Sequence, residues 1–157
     1  MGGGGGGGGG GQMQQLSQEI EQIEQEVQAI DDEIERLREK QTDIDDAVEA
    51  IETLETGSTV QVPVGGDAYI RATVDDIDQI VVSLGGGYAA ERDQDGAIST
   101  LETKKETLDD QIEELQSDKA EVETEKEELE QQAQQMQQQQ MQQMMQQQQQ
   151  QEGADDE

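Results

Sequence analysis

The chain has no cysteine, no phenylalanine, no tryptophan and no histidine, one proline, and nine basic residues against 39 acidic ones in a length of 157. Without cysteine there is no disulfide and no thiol. Without cysteine or histidine, most thiol, zinc and imidazole acid–base chemistry is excluded. Aromatic content is 1% and hydrophobic content 30%, too little for an ordinary packed core. The net charge of −30 has the wrong sign for nucleic acid or for an anionic membrane surface. No apolar run approaches the roughly 20 residues of a membrane span. Residues 1–30 have no apolar signal-peptide core, so the expected location is cytoplasmic. No Gly-Lys-Ser/Thr phosphate loop occurs, and nothing gathers the abundant carboxylates into a pocket. The expectation is a protein that is not an enzyme and that needs neither cofactor nor metal.

What the chain does have is two heptad arms. In the first, apolar residues fall at Leu16, Ile20, Ile23, Val27, Ile30, Ile34, Leu37, Ile44, Val48 and Ile51, with Gln41 interrupting the seam. In the second they fall at Ile98, Leu101, Leu108, Ile112, Leu115, Val122, Leu129 and Met136. Lys105, Lys119, Lys126 and Ala133 fill the intervening seam positions. A sustained period of about 3.5 residues predicts a coiled coil, which needs apolar residues only at its a and d positions. Lysines in a seam can pack their stems, reach neighbouring carboxylates and set register. The acids are spread along both arms. That pattern favours adaptation to a salt-rich cytoplasm over a localised acidic docking patch.

Between the arms the period changes to two. Val60, Val62 and Val64 alternate with Gln61 and Pro63, Gly65-Gly66-Asp67 turns the chain, and Ala68 to Val74 returns. Ile80 to Leu84, then Gly85-Gly86-Gly87, then Tyr88 to Glu91 read as a second hairpin. A β segment of about 35 residues is too small to be stable by itself. Its Val/Ile-rich edges should seek other strands. Pro63 cannot donate to a ladder, so its strand should lie at an edge or end there.

The expected fold is therefore α+β, a long antiparallel two-helix coiled coil with two β-hairpins between the helices. Residues 1–11 read as a disordered Gly tail and 12–56 as the first helix, with Gly57 as its left-handed stop. Residues 57–92 are the hairpins and 93–136 the second helix. Residues 137–157 are a Gln/Met-rich and acidic tail, whose Gln/Met part either extends the helix or frays. If the arms are antiparallel, with Leu54 beside Ile98, then Leu16 lies beside Met136. Met13, Leu16, Ile20, Ala133 and Met136 then cluster at the end of the arms, with Met141, Met144 and Met145 beyond. Such a cluster serves either as seam packing or as an adaptable apolar binding surface.

Two motifs carry less than they promise. Glu91-x-Asp93-x-Asp95-Gly96, followed by Glu102, approaches a calcium loop, but no helix precedes it and an Asp-capped helix start explains it. Gly85-x-Gly87-x-x-Ala90 follows a strand, but no βαβ unit continues it.

The stretch Val60-Gln61-Val62-Pro63-Val64-Gly65-Gly66-Asp67-Ala68-Tyr69 closely resembles archaeal alpha-type prefoldin sequences. So does Ile80-Val81-Val82-Ser83-Leu84-Gly85-Gly86-Gly87-Tyr88-Ala89-Ala90-Glu91. The second hairpin separates alpha-type from beta-type subunits, and the acidity looks halophilic. The resemblance covers about residues 12–136. It implies two alpha-type subunits assembling with four beta-type subunits through their strands into a double β-barrel. It also implies that coiled-coil tips bind unfolded clients without ATP and pass them to a group II chaperonin. Mapped onto this chain, Val60, Val62, Val64, Ile70, Ile80, Val82 and Leu84 would serve oligomerisation. Met13, Leu16, Ile20, Met136 and Met141 would form the client-binding tip. The poly-Gly head and Gln/Met tail depart from the family pattern. The competing readings are a coiled-coil adaptor or tether and a calcium-modulated module built on Glu91 to Glu102.

Overall fold

The computed structural model describes residues 8–154. These form α1 (Gly8–Thr53), β1 (Thr59–Gly65), β2 (Ala68–Thr73), β3 (Ile80–Gly85), β4 (Tyr88–Arg92) and α2 (Gln94–Ala154). β1 pairs only with β2 and β3 only with β4, so the expected two antiparallel hairpins lie between two long helices. The chain divides into two compact units. One comprises the residues up to Glu33 together with those from Leu115 onward; the other is Ile34–Glu114.

Within Ile34–Glu114, the core is a row along the helix seam plus the seat of the second hairpin. Ile34, Leu37, Ala97, Ile112 and Val82 are buried. Gln41 interrupts the apolar seam but is not idle: its Nε2 donates to the Lys105 carbonyl and to Asp109. Lys105 Nζ donates to Asp45 Oδ1 at 2.8 Å. In the other unit Ile23 is buried, and the seam is carried by half-buried residues. There Lys119 reaches Asp31 at 2.8 Å and Lys126 reaches Glu24 at 3.2 Å. Steps between these lysines along α2 match steps between their acidic partners along α1, so each unit keeps the same antiparallel register. That register is shifted by about two residues from one pairing Leu16 directly with Met136.

The Asp45 carboxylate, by accepting the hydrogen bond, holds the Lys105 amine above its ordinary value of 10.5. Asp31 does the same for Lys119. A raised value in the folded chain means the bridges contribute below the ordinary lysine range and are lost as pH climbs through the raised value. Alkaline titration above pH 10.5 should therefore lower the thermal midpoint. Lys105→Met with Lys119→Met should flatten that slope when followed by circular dichroism. The effect should be modest, because both amines reach solvent.

Element ends differ from expectation in ways the hydrogen bonds explain. α1 begins at Gly8 rather than after the Gly tail, so Gly8–Gly11 are helical. An existing helix propagates one bond per residue, although each glycine disfavours it by about 1 kcal/mol. The remainder of that tail lies outside the described residues. At its other end α1 stops at Thr53, not at residue 56. The Glu55 N–H donates to Ser58 Oγ and the Ser58 N–H to the Glu55 carbonyl, which closes a separate turn. Gly57, with φ 90, donates to the Val74 carbonyl at 2.7 Å, so it starts the hairpin ladder instead of capping the helix. α2 continues past residue 136 through the Gln/Met stretch to Ala154, and residues 155–157 lie outside the described residues.

The start of α2 also resolves the acidic motif. Asp93 is its N-cap, with Oδ1 accepting from the Gly96 N–H at 2.8 Å. A Cβ on Gly96 would stand 2.7 Å from that oxygen, so a side chain there would displace the capping carboxylate. Glu91 lies in β4, paired with Val81, and the segment before it is strand rather than helix.

Candidate functional site

The hairpins share one turn design. Gly66 and Asp67 both have positive φ (58 and 60), as do Gly86 and Gly87 (62 and 81). This backbone matches the right-handed twist of the flanking strands. Register then decides which side chains share a face. Val62 stands opposite Ile70, and Val60 opposite Ala72. Val60 faces Ala50 and Leu54 across a shallow cavity beside α1. Further out the same strands are uncovered: Val62 is 43% exposed, Ile70 57%, and Val64 and Tyr69 are similarly open.

The second hairpin is seated more firmly. Val82 is only 5% exposed, whereas its neighbour Val81, on the opposite face, is open to solvent. Lys104 Nζ donates to the Ser83 carbonyl at 2.8 Å, which ties β3 to α2. Beside it, Ile44, Leu84 and Leu108 line a groove of about 480 Å³ flanked by Lys40 and Lys104. Ile80 is half-buried. Of the seven residues expected to serve oligomerisation, Val62, Val64, Ile70 and Leu84 are exposed, Val60 and Ile80 are partly covered, and Val82 is buried in the chain's own fold. Sequence reasoning passed over Val81, Tyr69 and Tyr88, all strongly exposed. The strand alternation itself, which puts Val81 on the face opposite Val82, was the available signal.

In the other unit, Met13, Leu16, Ile20 and Met136 are all half-buried in the helix seam. Leu16 and Met136 line one cavity of about 310 Å³ with Gln12, Gln15, Glu19 and Gln132. Met141 is not part of that cluster. It lies on the α2 extension at 69% exposure, with Met144 and Met145 at 68% and 67%. Every described residue from 137 to 151 is exposed. No group of three or more metal-ligating side chains occurs among the described residues, and no described helix is long and apolar enough to cross a membrane.

Comparison with known proteins agrees with this architecture. The prefoldin subunit family profile matches residues 23–139. Prefoldin subunit alpha of Haloarcula marismortui is 83% identical over 122 residues, which span 78% of this chain and 79% of that one. The corresponding protein of Halorubrum lacusprofundi is 59% identical over 74% of this chain and 73% of its own. Among solved structures, filamentous PFD from Methanocaldococcus jannaschii superposes with a TM-score of 0.50 at 28% identity, covering 74% of this chain and 93% of that chain. The prefoldin beta subunit from Thermococcus strain KS-1 shares the fold at a TM-score of 0.50 and 21% identity, covering 78% and 90%. With two hairpins between paired helices and alpha-type relatives in halophilic archaea, the chain belongs to the prefoldin family of chaperone subunits.

Proposed function

We propose that the chain is the alpha-type subunit of an ATP-independent holdase. It assembles with beta-type subunits, two alpha with four beta, through its hairpins. It binds unfolded proteins through the Met-bearing ends of its helices and hands them to a group II chaperonin in the cytoplasm. The observation that carries this reading is where apolar surface is left open. A chain of net charge −30 exposes Ile70 and its hairpin neighbours in one unit and Met141, Met144 and Met145 in the other. Exposed strand edges with an apolar face seek further strands. Flexible thioethers accept varied apolar segments. Several weak sites held in one assembly then act together by effective concentration. Release needs only competition from the next binding partner.

The test is light scattering from a chemically unfolded client diluted into high-salt buffer without ATP. It is run with and without the chain assembled with a beta-type partner. Suppressed scattering near one complex per client is expected. Unchanged scattering with an intact complex would leave a coiled-coil tether. Deleting residues 137–157 should weaken capture several-fold and leave assembly intact, since nothing on that segment's described residues is buried. Size-exclusion chromatography beside the scattering assay separates the two effects, and loss of the complex on this deletion would contradict the division of labour.

A further inference from the structure

The three exposed methionines do not continue the coiled-coil seam. Stepping past Met136 with the four–three spacing of the arms lands on Gln140, Gln143 and Gln147. Met141 and Met145 stand four residues apart and Met144 three from Met141, so all three share a different face of α2. From Gln137 to Gln151 they are the only apolar side chains, and the stretch carries no charge. Their exposure is 67–69%, whereas Met13 and Met136 are half-buried in the seam. The chain has no cysteine to intercept an oxidant first.

We propose that Met141, Met144 and Met145 form a reversible oxidation site that lowers the affinity of the chain for apolar clients; the proposal rests on the chaperone reading above. The co-reactant is a peroxide. A thioether sulfur attacks one peroxide oxygen, an S–O bond forms as the O–O bond breaks, sulfur is oxidised by two electrons, and hydrogen peroxide leaves as water. Each sulfoxide is polar where the thioether was apolar, so three such steps remove all the apolar side chains of this face. Gln neighbours keep good helix propensity, so the helix persists while its contact chemistry changes. Methionine sulfoxide reductases reverse the step.

The experiment treats the full chain with hydrogen peroxide and follows each methionine by peptide mass spectrometry. Met141, Met144 and Met145 should gain oxygen several-fold faster than Met13 and Met136. The same chain, assembled with its beta-type partner, should then capture client about tenfold more weakly, with helicity unchanged and capture restored by the reductases. Whatever its starting level of capture, a Met141→Leu, Met144→Leu, Met145→Leu variant should lose none of it on treatment with peroxide. Equal oxidation rates at all five positions would overturn the proposal. So would full capture after the three are oxidised, a capture loss that tracks unfolding, or peroxide sensitivity in the leucine variant. A complex that captures nothing before oxidation overturns the chaperone reading and this proposal with it.

Discussion

A chain carrying Val62→Asp and Ile70→Asp should fold normally and fail to assemble with a beta-type partner. The two residues face each other across β1 and β2 and are 43% and 57% exposed. In the isolated chain each carboxylate would reach water, so the cost to folding should stay within about 0.5 kcal/mol apiece, apart from some repulsion between them. In a sheet shared with another subunit, both would be buried without partners. An unpaired buried charge costs several kcal/mol. Two side by side would erase most of the roughly 8 to 12 kcal/mol of a micromolar to nanomolar association. Val82→Asp should behave differently, because Val82 is 5% exposed within the chain's own fold. It should lower the thermal midpoint of the isolated chain first and disturb assembly only as a consequence. Size-exclusion chromatography with light scattering, beside circular dichroism, distinguishes the two outcomes. Assembly that survives the double substitution would show that this hairpin face is not the interface.

The contrast between Ile70 and Val82 marks where the sequence stops being legible. Period two placed both in strands, and the glycine clusters placed the turns, because turn backbones with positive φ leave a compositional trace. Alternation says which residues share a face. It does not say which face finds a helix within the same chain and which is left open. That depends on how each hairpin leaves its helix, and on contacts such as Lys104 with the Ser83 carbonyl that have no sequence pattern. The helix seam was legible for the same periodic reason. Its exact register was not, because hydrophobic spacing tolerates a small slide that the bridges from Lys105, Lys119 and Lys126 then settle. The methionines past residue 136 were visible in the sequence as lying beyond the cluster at the end of the arms, but their exposure on a continuing helix was not. Met136 shares a cavity with Leu16, and Met141 stands with Met144 and Met145 on the extension.

Removing salt should have an effect of similar size, because the charge balance leaves about 30 carboxylates without a cationic counterpart. Two like charges about 8 Å apart repel by about 0.5 kcal/mol in water before screening. The screening length is about 10 Å at 0.1 M and about 3 Å at 1 M, so roughly half of that repulsion survives in dilute salt and less than about a tenth in strong salt. Summed over the acidic faces of α1 and α2, the difference amounts to several kcal/mol. That is comparable to the entire stability of an ordinary domain, and this chain has only a narrow core to set against it. The thermal midpoint should therefore climb steeply between about 0.1 and 1 M potassium chloride, and further salt should add less. Sucrose separates the causes, since it strengthens burial without screening charge. If sucrose reproduced the rise, the effect would be one of burial and the charge argument would fail. If Glu→Gln substitutions at exposed helix positions such as Glu21, Glu35, Glu114 and Glu128 flattened the salt dependence, carboxylate repulsion would be its source.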